Sequence, residues 1–328
     1  MLFRSGEVDV LTVRHLDGDA LVDPGVLGEE DGAEASAAER REDPVLAYRL
    51  VLEEHAHGLY KSDRAAFARS RVGAVHNRVV GPRVYAPSLT QVGERVTLPA
   101  DEATHLVRVL RTRVGDVVRV FNGRGVECAA RVEQVARDGV VVWTTEALPV
   151  VPDPATALTL AVAVLKGDKM DDVVRDAVML GVARIQPLLT AHTETTAAAI
   201  ERGRRVDRWM RIGVASAKQC GRATVPEIGS PCSFEVYVAG LDAASAGHAP
   251  LLFVEPVHHA TVTPVGDLER ARPDRASAII GPEGGWSADE LAGARGRCRP
   301  VSLGARTIRA DAMPLAAVAA LWTVWRVW

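Results

Sequence analysis

Between residues 93 and 144 apolar and polar residues alternate in short runs, at 93–98, 116–121, 126–135 and 140–144. Alternation of this kind puts one face of a strand in a core and the other in water. Turn sequences, Asn122-Gly123-Arg124-Gly125 and Arg137-Asp138-Gly139, join the last three runs, and one helical stretch at 101–110 interrupts them. Short strands connected in this way predict a small β-barrel. After the linker Val151-Pro152-Asp153-Pro154-Ala155 the period changes. An apolar run at 158–165 leads through Lys166-Gly167-Asp168-Lys169 into a helical pattern at 170–180, which Gly181 stops, and a second apolar run follows at 182–188. Strands alternating with helices predict a parallel sheet, and a further helix is expected at 206–219. The apolar stretch 313–325, whose end Arg326 interrupts, falls short of the ~20 residues that span a bilayer. It reads as a buried helix. The chain is therefore expected to be α/β, with an extension over 1–80, a barrel over 81–150 and a parallel-sheet domain over 155–328.

Two loops near the C-terminus stand out. The apolar run 276–280 passes into Gly281-Pro282-Glu283-Gly284-Gly285-Trp286, and a second short apolar segment precedes Leu303-Gly304-Ala305-Arg306-Thr307-Ile308-Arg309. Each reads as a tight loop at the carboxyl end of a strand, where open α/β sheets bind ligands. Gly281, Gly284 and Gly285 let backbone approach a ligand with no Cβ in the way. Ser287-Ala288-Asp289-Glu290 has the spacing of a capping box, which starts a helix beside the loop. One such corner is as readily an ordinary strand-turn-helix junction. Two in register favour a ligand site.

The paired runs resemble the knotted SPOUT class of RNA methyltransferases, and within it the bacterial 16S rRNA uracil-N3 methyltransferase family. The likeness extends from about Arg83 to the C-terminus. It implies a trefoil-knotted C-terminal domain, an N-terminal PUA-like barrel that binds RNA, and a homodimer. It also implies that S-adenosylmethionine is held by three loops: Leu252 and Glu255 in Leu251-Leu252-Phe253-Val254-Glu255-Pro256; Gly281, Glu283, Gly284 and Gly285; and Leu303, Gly304 and Ile308. Main-chain groups of tight loops are enough for such a ligand. Accordingly the chain has neither a Walker lysine loop nor a metal-ligand cluster, and no metal is expected.

The expected RNA contacts begin with His105, Arg108 and Arg111, which at spacings of three share one helical face, with Arg113 just beyond and Arg124 in a hairpin turn. Such a row is either a solvated helix face or a set of phosphate contacts. The family motif His-Leu-x-Arg-Val-Leu-Arg, reproduced from His105 to Arg111, favours the contacts. The Lys-Gly-Asp-Lys-Met segment adds Lys166 and Lys169, and the match at Gln219, Gly221 and Arg222, followed by Val225-Pro226, adds Arg222.

Methylating uracil N3 requires that a weakly acidic N–H lose its proton, or that the imide anion be stabilised, while N3 lines up with the methyl donor. Arg309 and Arg306 are candidates for stabilising charge on O2 or O4. Asp311 has three open readings: it accepts the proton, it orients Arg309, or it caps the helix that begins at Ala312-Met313-Pro314. His258 and His259, beside the Glu255 loop, are either further bases or polar surface. The sequence departs from the commonest family form at Met179-Leu180-Gly181-Val182, near His192, and at Asp311-Ala312-Met313, where a threonine hydroxyl is lost.

Composition adds three constraints. Net charge is −3, but residues 1–80 hold 10 basic and 15 acidic residues, leaving 29 basic and 27 acidic for the rest; RNA contacts must come from local patches. The extension is expected either to be mobile or to reflect a start assigned too far upstream. Cys128, Cys220, Cys232 and Cys298 form no C-x-x-C pair, which indicates neither zinc nor a disulfide framework and suits the cytoplasm, and no N-terminal segment has signal-peptide form. The expected function is S-adenosylmethionine-dependent methylation of uracil N3 in 16S rRNA of the small ribosomal subunit, with no membrane partner. Two alternatives remain: a SPOUT enzyme for a ribose 2′-OH or another base, and a non-catalytic RNA-binding protein on the same scaffold. Trp322, Trp325 and Trp328 pack either in the dimer or in the core.

Overall fold

The computed structural model describes residues 81–137, 139–241, 247–255 and 262–327, all within the compact unit Ala74–Trp328. The expectations for residues 1–80, for His258 and His259, and for Trp328 fall outside the described residues.

The first sheet contains β1 (Arg83–Tyr85) and β2 (Arg95–Thr97), followed by the short helix α1 (Ala100–Thr104), then β3 (Val117–Phe121), β4 (Glu127–Ala136) and β5 (Gly139–Ala147). Its order is β1-β3-β4-β5-β2. The alternating runs behave as expected: Val96, Val118, Val120, Val132 and Val142 turn inward and form one core with Leu106. The helix expected over 101–110 is different. After Thr104 the chain widens into a π-helical turn, His105–Val109, in which the Leu110 N–H reaches back five residues to the His105 carbonyl at 3.2 Å. Leu106 is pinned in the barrel core, and the wide turn lets the chain leave the helix directly afterwards. Arg111 then lies past its end at φ 54°. His105, Arg108 and Arg111 are all exposed but do not form the single helical row that their spacing predicts.

The second sheet is entirely parallel. Its elements are β6 (Ala157–Ala163), α2 (Lys169–Met179), β7 (Arg184–Leu189), α3 (Ala197–Arg202), α4 (Arg205–Cys220), β8 (Glu227–Ile228), β9 (Cys232–Ser233), α5 (Phe234–Ala239), β10 (His248–Phe253), β11 (Thr263–Pro264), β12 (Arg275–Ile280), α6 (Ala288–Ala294), β13 (Arg299–Ser302) and α7 (Met313–Val324). The strand order is β11-β13-β10-β12-β6-β7-β8, with β9 paired to β7. Most of β6 is buried on both faces, as expected where helices cover a parallel sheet on both sides. From α2, Met170, Val173, Val174, Ala177 and Val178 are buried, a 3.6-residue stripe facing inward. Gly181 ends the helical segment at φ 83°, where a Cβ would meet Pro154. The C-terminal helix α7 is apolar almost all round and is buried through Ala317, Val318, Leu321 and Trp322. Trp322 donates its indole N–H to the Leu180 carbonyl at 2.6 Å, and Trp325 is 5% exposed, so the chain's own core accounts for both tryptophans. No described helix is long and apolar enough to cross a membrane.

Charged groups lock the barrel to the parallel-sheet layer. Arg83 pairs with Glu127 at 2.7 Å and donates to the Ala217 carbonyl of α4 at 2.7 Å. Lys218 of the same helix reaches Glu102 at 2.8 Å.

Candidate active site

Because every strand of the second sheet runs the same way, the loops that follow β6, β7, β10, β12 and β13 emerge at one edge. There the segments ending in Glu255, Gly281–Trp286 and Leu303–Asp311 close around a cavity of about 710 Å³. Its floor is the ends of β10 and β12, at Phe253, Val254 and Ile280.

The glycine loop is held from three directions. Its helix begins with a complete capping box, Ser287 and Glu290 each accepting a backbone N–H of the other. The second oxygen of Glu290 accepts the Ala191 N–H at 2.8 Å, and the neighbouring His192 places Nδ1 3.0 Å from the Gly285 carbonyl. Trp286 donates to the Phe253 carbonyl at 2.9 Å and packs against Phe234. The glycines themselves are required by geometry. A Cβ on Gly284 would come within 2.8 Å of His192, whereas at Gly285, φ 70°, and Gly304, φ 121°, a Cβ would meet no atom within 4 Å among the described residues.

Two ion pairs and a further arginine define the polar wall. Arg309 donates to both carboxylate oxygens of Asp311, at 3.1 and 2.6 Å. Hydrogen bonding from Arg309 holds the Asp311 carboxyl below its usual range, and the charges of Arg309 and Lys169 add to the effect. Lys169 pairs with Glu283 at 3.0 Å. Burial pushes the Glu283 carboxyl up, but hydrogen bonds from Lys169 and the backbone, together with the lysine charge, outweigh it and leave the pKa lowered. Arg306 and Thr307 complete this side.

Of the candidate residues, Glu255, Gly281, Glu283, Gly284, Gly285, Leu303, Gly304, Arg306, Ile308, Arg309 and Asp311 all line the one cavity. Leu252 does not. It is 3% exposed and packs in a core cluster with Ile279 and Phe234, and its neighbours Phe253 and Val254 take the place expected for it. Asp311 does not cap α7, whose N-cap position is Ala312 with no side-chain cap; its carboxylate is engaged by Arg309. Lys169 lines the cavity, paired with Glu283. Lys166 is exposed and pairs with Glu194 at 3.0 Å.

Arg222 is the clearest correction. Rather than facing RNA it is buried, donating to Asp153 at 2.6 Å and to the carbonyls of Val178 and Val182 at 3.2 and 2.9 Å. A guanidinium so occupied ties the interdomain linker to the end of α2. His192 is the contributor that sequence reasoning missed, and Lys169 lines the cavity itself. The match at Lys166–Met170 signals the lysine, but nothing local signals its partner Glu283.

A family model described as RNA methyltransferase domain matches residues 152–322, and one described as RNA methyltransferase PUA domain matches 98–142. Among curated relatives, ribosomal RNA small subunit methyltransferase E of Synechocystis is 32% identical over 68% of this chain and 71% of its own. The protein of the same name from Rickettsia conorii is 27% identical over 72% and 93%. Two solved structures superpose with TM-scores of 0.66, each covering 75% of this chain and 98% of the other. One, from Legionella pneumophila, is described as a methyltransferase with bound SAM and is 29% identical. The other is ribosomal RNA small subunit methyltransferase E of Neisseria gonorrhoeae bound to S-adenosyl methionine, 28% identical. The two matched segments fall on the parallel-sheet layer that holds the cavity and on the barrel before it, and this chain belongs to the family of RNA methyltransferases that carries a PUA domain, the one typified by ribosomal RNA small subunit methyltransferase E.

Proposed function

We propose that this protein methylates N3 of a uracil in 16S rRNA of the small ribosomal subunit, using S-adenosylmethionine. The observation that carries the reading is the convergence of the Glu255, Gly281–Trp286 and Leu303–Asp311 loops on one cavity, with an arginine–carboxylate pair in its wall. The cavity suits the cofactor: Gly285 and Gly304 leave open the space that a side chain would fill, and Phe253, Val254 and Ile308 offer apolar surface beside backbone groups. S-adenosylmethionine supplies an electrophilic methyl on its sulfonium when bound.

The chain's own residues do the rest. Arg309, 78% exposed at its side chain, presents a guanidinium to a uracil edge, and charge developing on O2 or O4 as N3 loses its proton is stabilised there. Asp311 holds that guanidinium in place. A carboxylate whose proton affinity is lowered by its partner is a weak base, which favours Asp311 as a positioning residue for Arg309. Arg306 adds positive charge at the same wall. On the barrel, the exposed His105, Arg108, Arg111 and Arg113 contact phosphates and position the RNA.

The remaining expectations belong to the same reading: a trefoil-knotted path over 155–328, for which β12 lying between β10 and β6 is supporting evidence; a barrel over 81–150; a homodimer; and a cytoplasmic location. Mass spectrometry of 16S rRNA from a deletion strain and its complement tests the function. One 3-methyluridine should disappear and return. Loss of a ribose methyl or another methylated base, or no change at all, overturns the assignment.

A further inference from the structure

One face of the barrel has a pattern that the catalytic reading does not use. Arg95 of β2 lies directly opposite Trp143 of β5, Trp143 opposite Arg131 of β4, and Arg131 opposite Val117 of β3. Residues opposite one another on adjacent strands point to the same side. The four therefore form one row across the sheet, roughly 14 Å long at the usual strand spacing. Their neighbours in sequence, Val96, Val142, Val132 and Val118, are all buried, so the row faces solvent. Trp143 is 38% exposed and Val117 39%; Trp209, Trp322 and Trp325 are 5% exposed or less.

A tryptophan left in water at the middle of a sheet gives up much of the free energy that its burial would provide. Here it is flanked by cations. The Arg95 guanidinium sits 6.0 Å from the Trp143 ring centroid, and Arg131 lies on its other side, donating to the Gly115 carbonyl at 2.8 Å. Glu133, on the row's border, is paired with Arg95 at 2.8 Å. The bond from Arg131 to Gly115 joins the row to the loop that carries the exposed Arg111, Arg113 and Val114. Trp143 thus sits within a continuous strip of basic side chains.

We infer that the row Arg95-Trp143-Arg131-Val117 is a docking platform for single-stranded RNA, on which a base stacks against Trp143 while Arg95 and Arg131 hold the flanking phosphates. The inference rests on the RNA methyltransferase reading for the presence of an RNA substrate, but it concerns a different surface from the cavity. Stacking needs an exposed π-face and tolerates any base, and the strip supplies the cations that a nucleic-acid backbone requires. A segment unpaired in the rRNA is the occupant. A duplex keeps its bases stacked inside and offers the ring nothing.

The test is equilibrium binding of a short labelled single-stranded RNA and of a blunt duplex of the same sequence to the full chain, in wild type, W143A, W143F and R131A. S-adenosylmethionine binding and thermal melting are measured in parallel. Because Trp143 is a surface residue, W143A should melt and bind S-adenosylmethionine like wild type. It should bind the single strand about tenfold more weakly while W143F stays within about threefold of wild type. R131A should lower the salt slope for the single strand by about 0.7. Unchanged single-strand affinity in W143A overturns the inference, as does an equal loss in W143F or an equal effect on the duplex. If wild type fails to bind S-adenosylmethionine while W143A still binds the single strand selectively more weakly, the methyltransferase reading fails and the platform stands.

Discussion

Arg309 and Asp311, two residues apart, clasp one another side-on, the guanidinium giving one hydrogen bond to each carboxylate oxygen. The pair sits in the cavity wall, so replacing either member separates charge stabilisation from positioning. Arg309→Ala should leave S-adenosylmethionine and RNA affinity near wild type and reduce single-turnover methylation by about 10²-fold. Asp311→Asn keeps the shape but loosens the arginine, and should cost roughly tenfold in the same assay. A wild-type rate for Arg309→Ala at saturation with both ligands removes the proposed role.

The same pair has a pH signature. The Asp311 carboxyl is lowered by Arg309. A group whose folded-state pKa is depressed contributes fully above its unfolded value, about 4 for aspartate, and loses its contribution as pH falls through the lowered value. Across the neutral range the pair stays ionised, and Asp311 should contribute no limb to the pH–rate profile there. A neutral-range limb in wild type that Asp311→Asn abolishes would make Asp311 the base after all.

Gly285 has φ 70° and open space where a side chain would project. Gly285→Val should place a branched group in the cavity and also strain the loop. Isothermal calorimetry should show at least a roughly tenfold drop in S-adenosylmethionine affinity. Equal affinity in the variant, or no binding by wild type, overturns the cofactor assignment for this loop.

Arg222 is buried and paired with Asp153, so Arg222→Ala strands a carboxylate and several carbonyls. The expected cost is about 3 kcal/mol of stability, read by chemical denaturation, with the salt dependence of RNA binding unchanged. Arg108→Ala with Arg111→Ala should do the reverse: native-like stability, weaker RNA binding and a salt slope reduced by roughly one unit for each phosphate no longer neutralised. Exchange of these two phenotypes would reverse the assignments.

A chain shortened to begin at Val80 should fold and methylate normally, since the first described strand, β1, begins at Arg83. A large drop in melting temperature or rate on truncation would show that residues 1–80 are structural.

What the sequence determined by itself is whatever depends on near neighbours. The inward valines of β3 and β4 follow from a period of two, the buried stripe of α2 from a period of 3.6, and the Ser287–Glu290 capping box from residues three apart. The glycine loops were legible because a left-handed φ at Gly285 can be recognised from residue type. The resemblance carried Leu252 into the site, and alternation offered no check on it: β10 is buried at Leu251, Leu252 and Phe253 alike, so no polar position marks which side faces the ligand. Folding alone paired Arg222 with Asp153, 69 residues away, and Lys169 with Glu283, 114 residues away. It also widened the helix at His105–Val109 around the anchored Leu106 and set the register that lines Arg95, Trp143 and Arg131 into one row. A side chain's charge is written in its identity, but the partner that neutralises it, and therefore whether it faces RNA, cofactor or core, is decided by which distant segments pack together.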